Sequence, residues 1–399
     1  MIDSLPGQPS GVNFNQYSGY IVTDKSSGRA LFYYFAEAQT EDRFSKPLTL
    51  WLGGESNMLY IDSPIVAFSY SNTTSDYKIW SDTMTARENM KFLRKWFIQY
   101  SEYRNQDFYI AGDSYGGHLA PQLAALILKY NRKPEHIRPI KLKGIVLGNP
   151  LLEKMSLSNI EHLWYHGIIS TELYHLQKKE CNATRMVNEL LNGELSEYCS
   201  DIDVMISEEI GDDTDQENLL SQSCESSSIS SSQQHYLATE TAEPDPCLRD
   251  WIDKYINMPE VQKALHANTT DLQNPWKSTF HGNRNTMLHN LAIDILPTLS
   301  KLLKKDIKVL IYRILVSVLA RRLKLTTLEM NGPWYDGKQI GGWSQTYGKL
   351  GGCKKVGNLT FATVRGGAHF VPSSSPSEAL TLFKSFIKGT PLPKTDPNY

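Results

Sequence analysis

Short apolar runs alternate with longer stretches of helical spacing along most of the 399 residues. Gly19 to Thr23 and Ala30 to Glu37 are rich in Tyr, Phe, Ile and Val. The turn Lys25-Ser26-Ser27-Gly28 between them predicts a hairpin. Leu48 to Leu52, Met58 to Ile61, Phe108 to Ala111, Ile140 to Leu147, Val309 to Tyr312 and Leu359 to Val364 have the compact apolar character of buried strands. Residues 80–103 place Trp80, Met84, Phe92, Trp96 and Tyr100 on one helical face, as packing requires. Helices are also predicted over roughly Tyr115 to Tyr130, residues 314–323 and Ser375 to Lys388. Strands alternating with helices predict an α/β protein, with a central, mostly parallel sheet and helices on both faces.

Residues 158–266 break this alternation with a mostly helical pattern. Within them, Gly211 to Pro246 is acidic and serine-rich, including the run from Ser226 to Ser232 around Ile229. Such a stretch has too little apolar surface to order itself, so a mobile loop is expected. The predicted organisation is a first part of the α/β core over residues 1–157, a helical insertion over 158–284, and the rest of the core over 285–399.

Composition narrows the class. The 40% hydrophobic and 21% charged content is that of a soluble globular protein, and a net charge of −2 makes no case for nucleic acid or membrane partners. Lys301, Lys304, Lys305 and Lys308 are expected on a solvated face. No apolar run approaches transmembrane length. The first residues have neither a basic n-region nor an apolar h-region, so no signal peptide is expected in this chain. Four N-x-S/T sequons, at Asn72, Asn182, Asn268 and Asn358, are candidate glycosylation sites. Of five cysteines, Cys181, Cys199, Cys224 and Cys247 lie in one segment and suit two disulfides, with three pairings open; Cys353 stands apart. Their spacing fits no zinc motif, no nucleotide-binding motif occurs, and neither metal nor cofactor is expected.

The chemistry concentrates at Gly112-Asp113-Ser114-Tyr115-Gly116, a G-x-S-x-G pattern set between a predicted strand and a predicted helix. That context is the nucleophile elbow: a tight turn that exposes the serine hydroxyl, with the helix N-terminus aimed where an oxyanion forms. A second candidate, His369, follows another predicted strand on the loop Arg365-Gly366-Gly367-Ala368-His369.

Ordered segments then carry a resemblance. Gln16-Tyr17-Ser18-Gly19-Tyr20, Gly28-Arg29-Ala30-Leu31-Phe32-Tyr33-Tyr34-Phe35, Phe68-Ser69-Tyr70-Ser71, Gly144-Ile145-Val146-Leu147-Gly148-Asn149-Pro150, Gly341-Gly342-Trp343 and Phe361-Ala362-Thr363-Val364-Arg365-Gly366-Gly367-Ala368-His369 resemble the serine carboxypeptidase family, in particular its plant members, over nearly the whole chain. The resemblance implies an α/β-hydrolase fold with an inserted helical subdomain. It implies peptide substrates with a free C-terminus, cleaved usually at acid pH. Ser114 matches the nucleophile and His369 the general base; Tyr115 N–H, with Gly54 N–H, would hold the oxyanion. Asp113, where the family usually has glutamate, would help bind the substrate carboxylate. By the same resemblance the pairings are Cys181–Cys199 and Cys224–Cys247, the protein is secreted or vacuolar, and a homodimer is expected.

The chain departs from the family at two places. The triad aspartate belongs just after Tyr312, but Arg313-Ile314-Leu315-Val316-Ser317-Val318-Leu319 holds no acid. The oxyanion loop is also shortened: Trp51-Leu52-Gly53-Gly54-Glu55-Ser56 runs straight into Asn57-Met58. The chain therefore reads as a family variant with internal deletions. The expected function is a serine-type carboxypeptidase of impaired activity, with an acyltransferase and an inactive family member as alternatives.

Overall fold

The computed structural model describes residues 1–50, 56–63, 67–134, 138–152, 160–221, 224, 245–268, 275–277, 290, 293–312, 322–351 and 354–394. The strands are β1 (Gln16–Asp24), β2 (Arg29–Ala36), β3 (Leu48–Leu50), β4 (Asn57–Ile61), β5 (Phe108–Asp113), β6 (Leu142–Gly148), β7 (Lys308–Tyr312), β8 (Thr326–Asp336), β9 (Gln339–Gly351) and β10 (Lys354–Ala362). They form one sheet in the order β1-β2-β4-β3-β5-β6-β7-β10-β9-β8. The centre, from β4 through β3, β5, β6 and β7 to β10, is parallel, and both flanks are antiparallel hairpins.

The central strands are continuous apolar runs because both faces are covered. All six residues of β5 are buried, as are six of the seven in β6. After the short α1 (Asp76–Ile79), α2 (Asp82–Gln99), α3 (Gly116–Asn131) and α10 (Leu296–Leu303) lie on one face; Phe92, Leu93 and Trp96 of α2 and Leu123, Ala124 and Ile127 of α3 enter the main core there. On the other face, beyond the short α11 (Val371–Ser374), Leu382 and Phe383 of α12 (Pro376–Lys388) pack with Ala111, Val146, Leu310 and Tyr312. The predicted helix face is realised: Trp80, Phe92 and Trp96 are buried, with Met84 and Tyr100 packed against the same core.

The insertion carries α4 (Ile160–Tyr165), α5 (Thr171–Glu180), α6 (Ala183–Leu191), α7 (Glu197–Ile210), α8 (Leu248–Ile256) and α9 (Pro259–Ala264). Residues from α4, α5 and α7 build a small core of their own around the Cys181–Cys199 disulfide. Cys224–Cys247 is the second bridge, so both pairings match those the resemblance implied. Cys353 lies outside the described residues, as do most of the acidic, serine-rich stretch and the predicted helix over 314–323.

Pattern reading missed β8 and β9, a long hairpin that extends the sheet. Their residues do not alternate cleanly, and Gly332-Pro333 interrupts them. A local signal was present: the two-residue turn is Gly337-Lys338, and Gly337 supplies the positive φ, +57°, that such a turn needs at its first position. The lysine prediction holds, since Lys301, Lys304, Lys305 and Lys308 are all exposed.

Candidate active site

β5 delivers Ser114 to the C-terminal edge of the parallel sheet, and α3 starts two residues later. Ser114 adopts φ +52°, a left-handed conformation unusual outside glycine. Such strain costs about 1–3 kcal/mol and persists only when its surroundings enforce it. Three backbone hydrogen bonds do so here. Ser114 N–H donates to Gly148 O (2.8 Å), while Gly117 N–H (3.0 Å) and Leu151 N–H (2.9 Å) both donate to Ser114 O. A Cβ on Gly112 would stand 2.6 Å from Gly116 O, so only glycine lets the strand approach the helix this closely. The first N–H groups of a helix have no intrahelical acceptor. Those of Tyr115 and Gly116 therefore stand beside the serine.

His369 lies on the loop after β10, with its backbone held on both sides. Its N–H donates to Glu217 O (2.7 Å), and its carbonyl accepts from Asn149 Nδ2 (2.7 Å). Asn149 follows Gly148, the residue that accepts from Ser114 N–H. Its own N–H donates to Tyr312 O at the end of β7 (2.8 Å). One residue thus ties together the ends of β6 and β7 and the histidine loop. Sequence reading treated Asn149 only as the end of a strand. Its positive φ of 37°, in a Gly-Asn-Pro turn, is the structural counterpart of a signal that was present.

Asp113 and Tyr312 flank Gly148 in register across three strands. Tyr312 Oη–H donates to Asp113 Oδ1 (2.7 Å), and a Cβ on Gly148 would fall 1.5 Å from that oxygen. Asp113 is 8% exposed, and its Oδ2 is buried with no hydrogen-bond partner among the described residues. Burial pushes its carboxyl up to about 7, against the opposing hydrogen bond from Tyr312. His162 of α4 is pushed the other way, down to about 4, by burial, then by His166 and His369. Its ring centroid lies 4.3 Å from that of His166.

The position expected for a triad acid, just past Tyr312, lies outside the described residues, as does Gly54. Two other acids can be placed. Asp306 precedes β7, at the opposite end of that strand from the elbow, and the five residues of β7 alone span about 13 Å at some 3.3 Å per residue. Asp336, at the tip of the β8–β9 hairpin, accepts from Thr381 of α12.

Of the sequon asparagines, Asn72 and Asn182 are exposed. Asn182 caps α6 by accepting from Arg185 N–H (3.1 Å). Asn268 Nδ2 donates to Gln262 Oε1 (3.0 Å), and Asn358 sits in β10. Among the described residues there is no group of three or more His, Cys, Asp or Glu able to hold a metal, and no helix long and apolar enough to cross a membrane.

A serine elbow after β5, a histidine after β10 and this strand order define an α/β-hydrolase-fold protein. The family model for serine carboxypeptidases matches residues 6–54 and 55–389, and the chain belongs to that family. Serine carboxypeptidase-like 45 of Arabidopsis thaliana is 36% identical over 443 residues, covering 98% of this chain and 93% of the relative. Serine carboxypeptidase-like 46 of the same plant is 37% identical over 451 residues, covering 98% and 92%. Both alignments run longer than the 399-residue chain, so stretches of each relative have no counterpart here. The family match itself divides between Gly54 and Glu55, within the segment that the sequence reads as shortened. Among solved structures, the prohormone-processing carboxypeptidase Kex1 from Saccharomyces cerevisiae superposes with a TM-score of 0.70, over 97% of this chain and 94% of that one. At 16% identity it shares the fold.

Proposed function

We propose that the chain is a serine-type carboxypeptidase acting through an acyl-enzyme on Ser114. The observation that carries this reading is the strained elbow: a serine at φ +52°, beside the first N–H groups of α3, and linked through Gly148 and Asn149 to the His369 loop. His369 takes the Ser114 hydroxyl proton as Oγ attacks the C-terminal peptide carbonyl. The Tyr115 N–H, with that of Gly54, receives the oxyanion. His369 then protonates the departing amino acid, and water, deprotonated by the same imidazole, releases the shortened peptide.

Asp113 is proposed to meet the substrate carboxylate. Below about pH 7 it is neutral, so it would meet the substrate carboxylate as a neutral group and not as a second anion. Two disulfides support passage through an oxidising, secretory compartment. The sequence after Tyr312 carries no acid before Glu329, which sets the expected rate low, roughly 10⁴-fold below a complete triad, because an aspartate in that role orients the histidine and stabilises its imidazolium.

The test is covalent labelling by a serine-directed fluorophosphonate, together with hydrolysis of a blocked dipeptide. Folded protein is expected to label at Ser114 and to release the C-terminal residue slowly, and Ser114→Ala is expected to lose both. Folded protein that does not label defeats the proposal. The Gly-Asp-Ser-Tyr elbow favours a second reading, acyl transfer from a sugar ester. Glucose-ester donors with small alcohol acceptors separate the two.

A further inference from the structure

A histidine–carboxylate pair lies four residues beyond the nucleophile. His118, in the first turn of α3, is 1% exposed, and Asp82, the first residue of α2, is 2% exposed. Asp82 Oδ2 stands 3.1 Å from His118 Nε2. Asp82 Oδ1 accepts from the Tyr115 phenol (2.8 Å). Among the described residues, the other oxygens facing the imidazole are backbone carbonyls: Leu151 O lies 3.3 Å from Nδ1 and Asn290 O lies 3.1 Å from Nε2. Asp82 also sits in the first turn of α2, where the helix dipole favours a negative charge.

These contacts form two routes from one carboxylate to the elbow. The first runs through the Tyr115 phenol to the residue whose N–H is the proposed oxyanion donor. The second runs through His118 to Leu151, whose carbonyl faces the imidazole and whose N–H donates to Ser114 O. The Tyr115 and His118 rings also touch, with centroids 5.5 Å apart. Burial, then the charge and hydrogen bond of Asp82, raise the Tyr115 phenol above its ordinary range, so it remains a donor.

We infer that Asp82 is a positioning residue for the nucleophile: through Tyr115 on one side and His118 with Leu151 on the other, it holds Ser114 in its left-handed conformation and aims the Tyr115 N–H. The inference rests on Ser114 being the nucleophile. Simple stapling of α2 to α3 would affect stability. Positioning affects the reactivity of the serine itself, and the two separate in saturation kinetics with a fluorophosphonate.

Asp82→Asn keeps the size and removes the charge; Tyr115→Phe removes only the phenol and leaves the backbone N–H in place. Each is expected to slow the maximal labelling rate of Ser114, Asp82→Asn by roughly 10- to 100-fold as small misplacements of reacting atoms do. The half-saturating probe concentration is expected to stay within about twofold, on the same argument that reactivity and not binding is affected. The effects are expected to combine to less than their product in the double variant, because the Tyr115 contact is common to both changes. Unchanged maximal rates in both folded variants, or effects that multiply in the double variant, overturn the inference while leaving Ser114 as the nucleophile. If Asp82→Asn does not fold, Tyr115→Phe decides by the same criterion. If the unaltered protein does not label, the nucleophile reading fails and this inference falls with it.

Discussion

Asp113 shows how much one carboxyl can carry. Its ordinary value is near 3.8, and burial raises it to about 7 in the folded protein. The folded state therefore keeps a proton that the unfolded chain releases as pH rises from about 4 to 7, so stability falls across that window and levels off above it. At about 1.4 kcal/mol per unit, the loss is on the order of 4 kcal/mol. Asp113→Asn, which can still accept from Tyr312, is expected to flatten that slope in urea midpoints measured between pH 4 and 8. His162 works in the opposite sense. Lowered to about 4, it makes the folded state refuse a proton that the unfolded chain accepts below about 6.5, so stability falls as pH drops from 6.5 to 4. His162→Phe is expected to flatten this acid limb in the same titration. Ser114 and His369 were legible because the elbow is a local pattern and the histidine directly follows a strand. The Asp113–Tyr312 bond spans 199 residues and the Asn149–His369 bond 220, and no local pattern encodes such pairings.

Among the elements, the β5–turn–α3 unit tolerates the least change. The atom that a Cβ on Gly112 would strike is the backbone oxygen of Gly116, which cannot swing aside. Gly112→Ala is expected to cost about 1–3 kcal/mol as overpacking, and to suppress fluorophosphonate labelling in the fraction that remains folded. Unchanged labelling and melting temperature would show that the turn has slack. The central strands were legible because burial on both faces leaves continuous apolar runs. The β8–β9 hairpin was not: it is a flank of the sheet, its apolar positions are irregular, and only the glycine of Gly337-Lys338 marks its turn.

For the whole molecule, the insertion and the sheet differ in what stabilises them. The small core of α4, α5 and α7 is closed by Cys181–Cys199, with a sequence separation of 18. Removing such a bridge costs about 3 kcal/mol on loop-entropy grounds. Replacing both cysteines with alanine is expected to deprotect amides of α5 and α7 in hydrogen exchange while β5, β6 and β7 keep theirs; equal deprotection of the sheet would mean that the two cores melt together. The α/β class and the family were legible because many ordered motifs carry them, whereas the placement of the insertion on the histidine loop, through Glu217 and His369, became visible only in three dimensions. The asparagine that bridges the sheet to that same loop also bears on how long the protein lasts. Asparagine deamidates when the next residue's backbone nitrogen attacks its side-chain amide, and the next residue here is Pro150, whose nitrogen has no hydrogen to give up. Conversion of Asn149 to aspartate would turn a donor into an acceptor facing the carbonyls of Ala368 and His369. Pro150 closes that route, so the contact is shielded from chemical ageing by the residue that follows it.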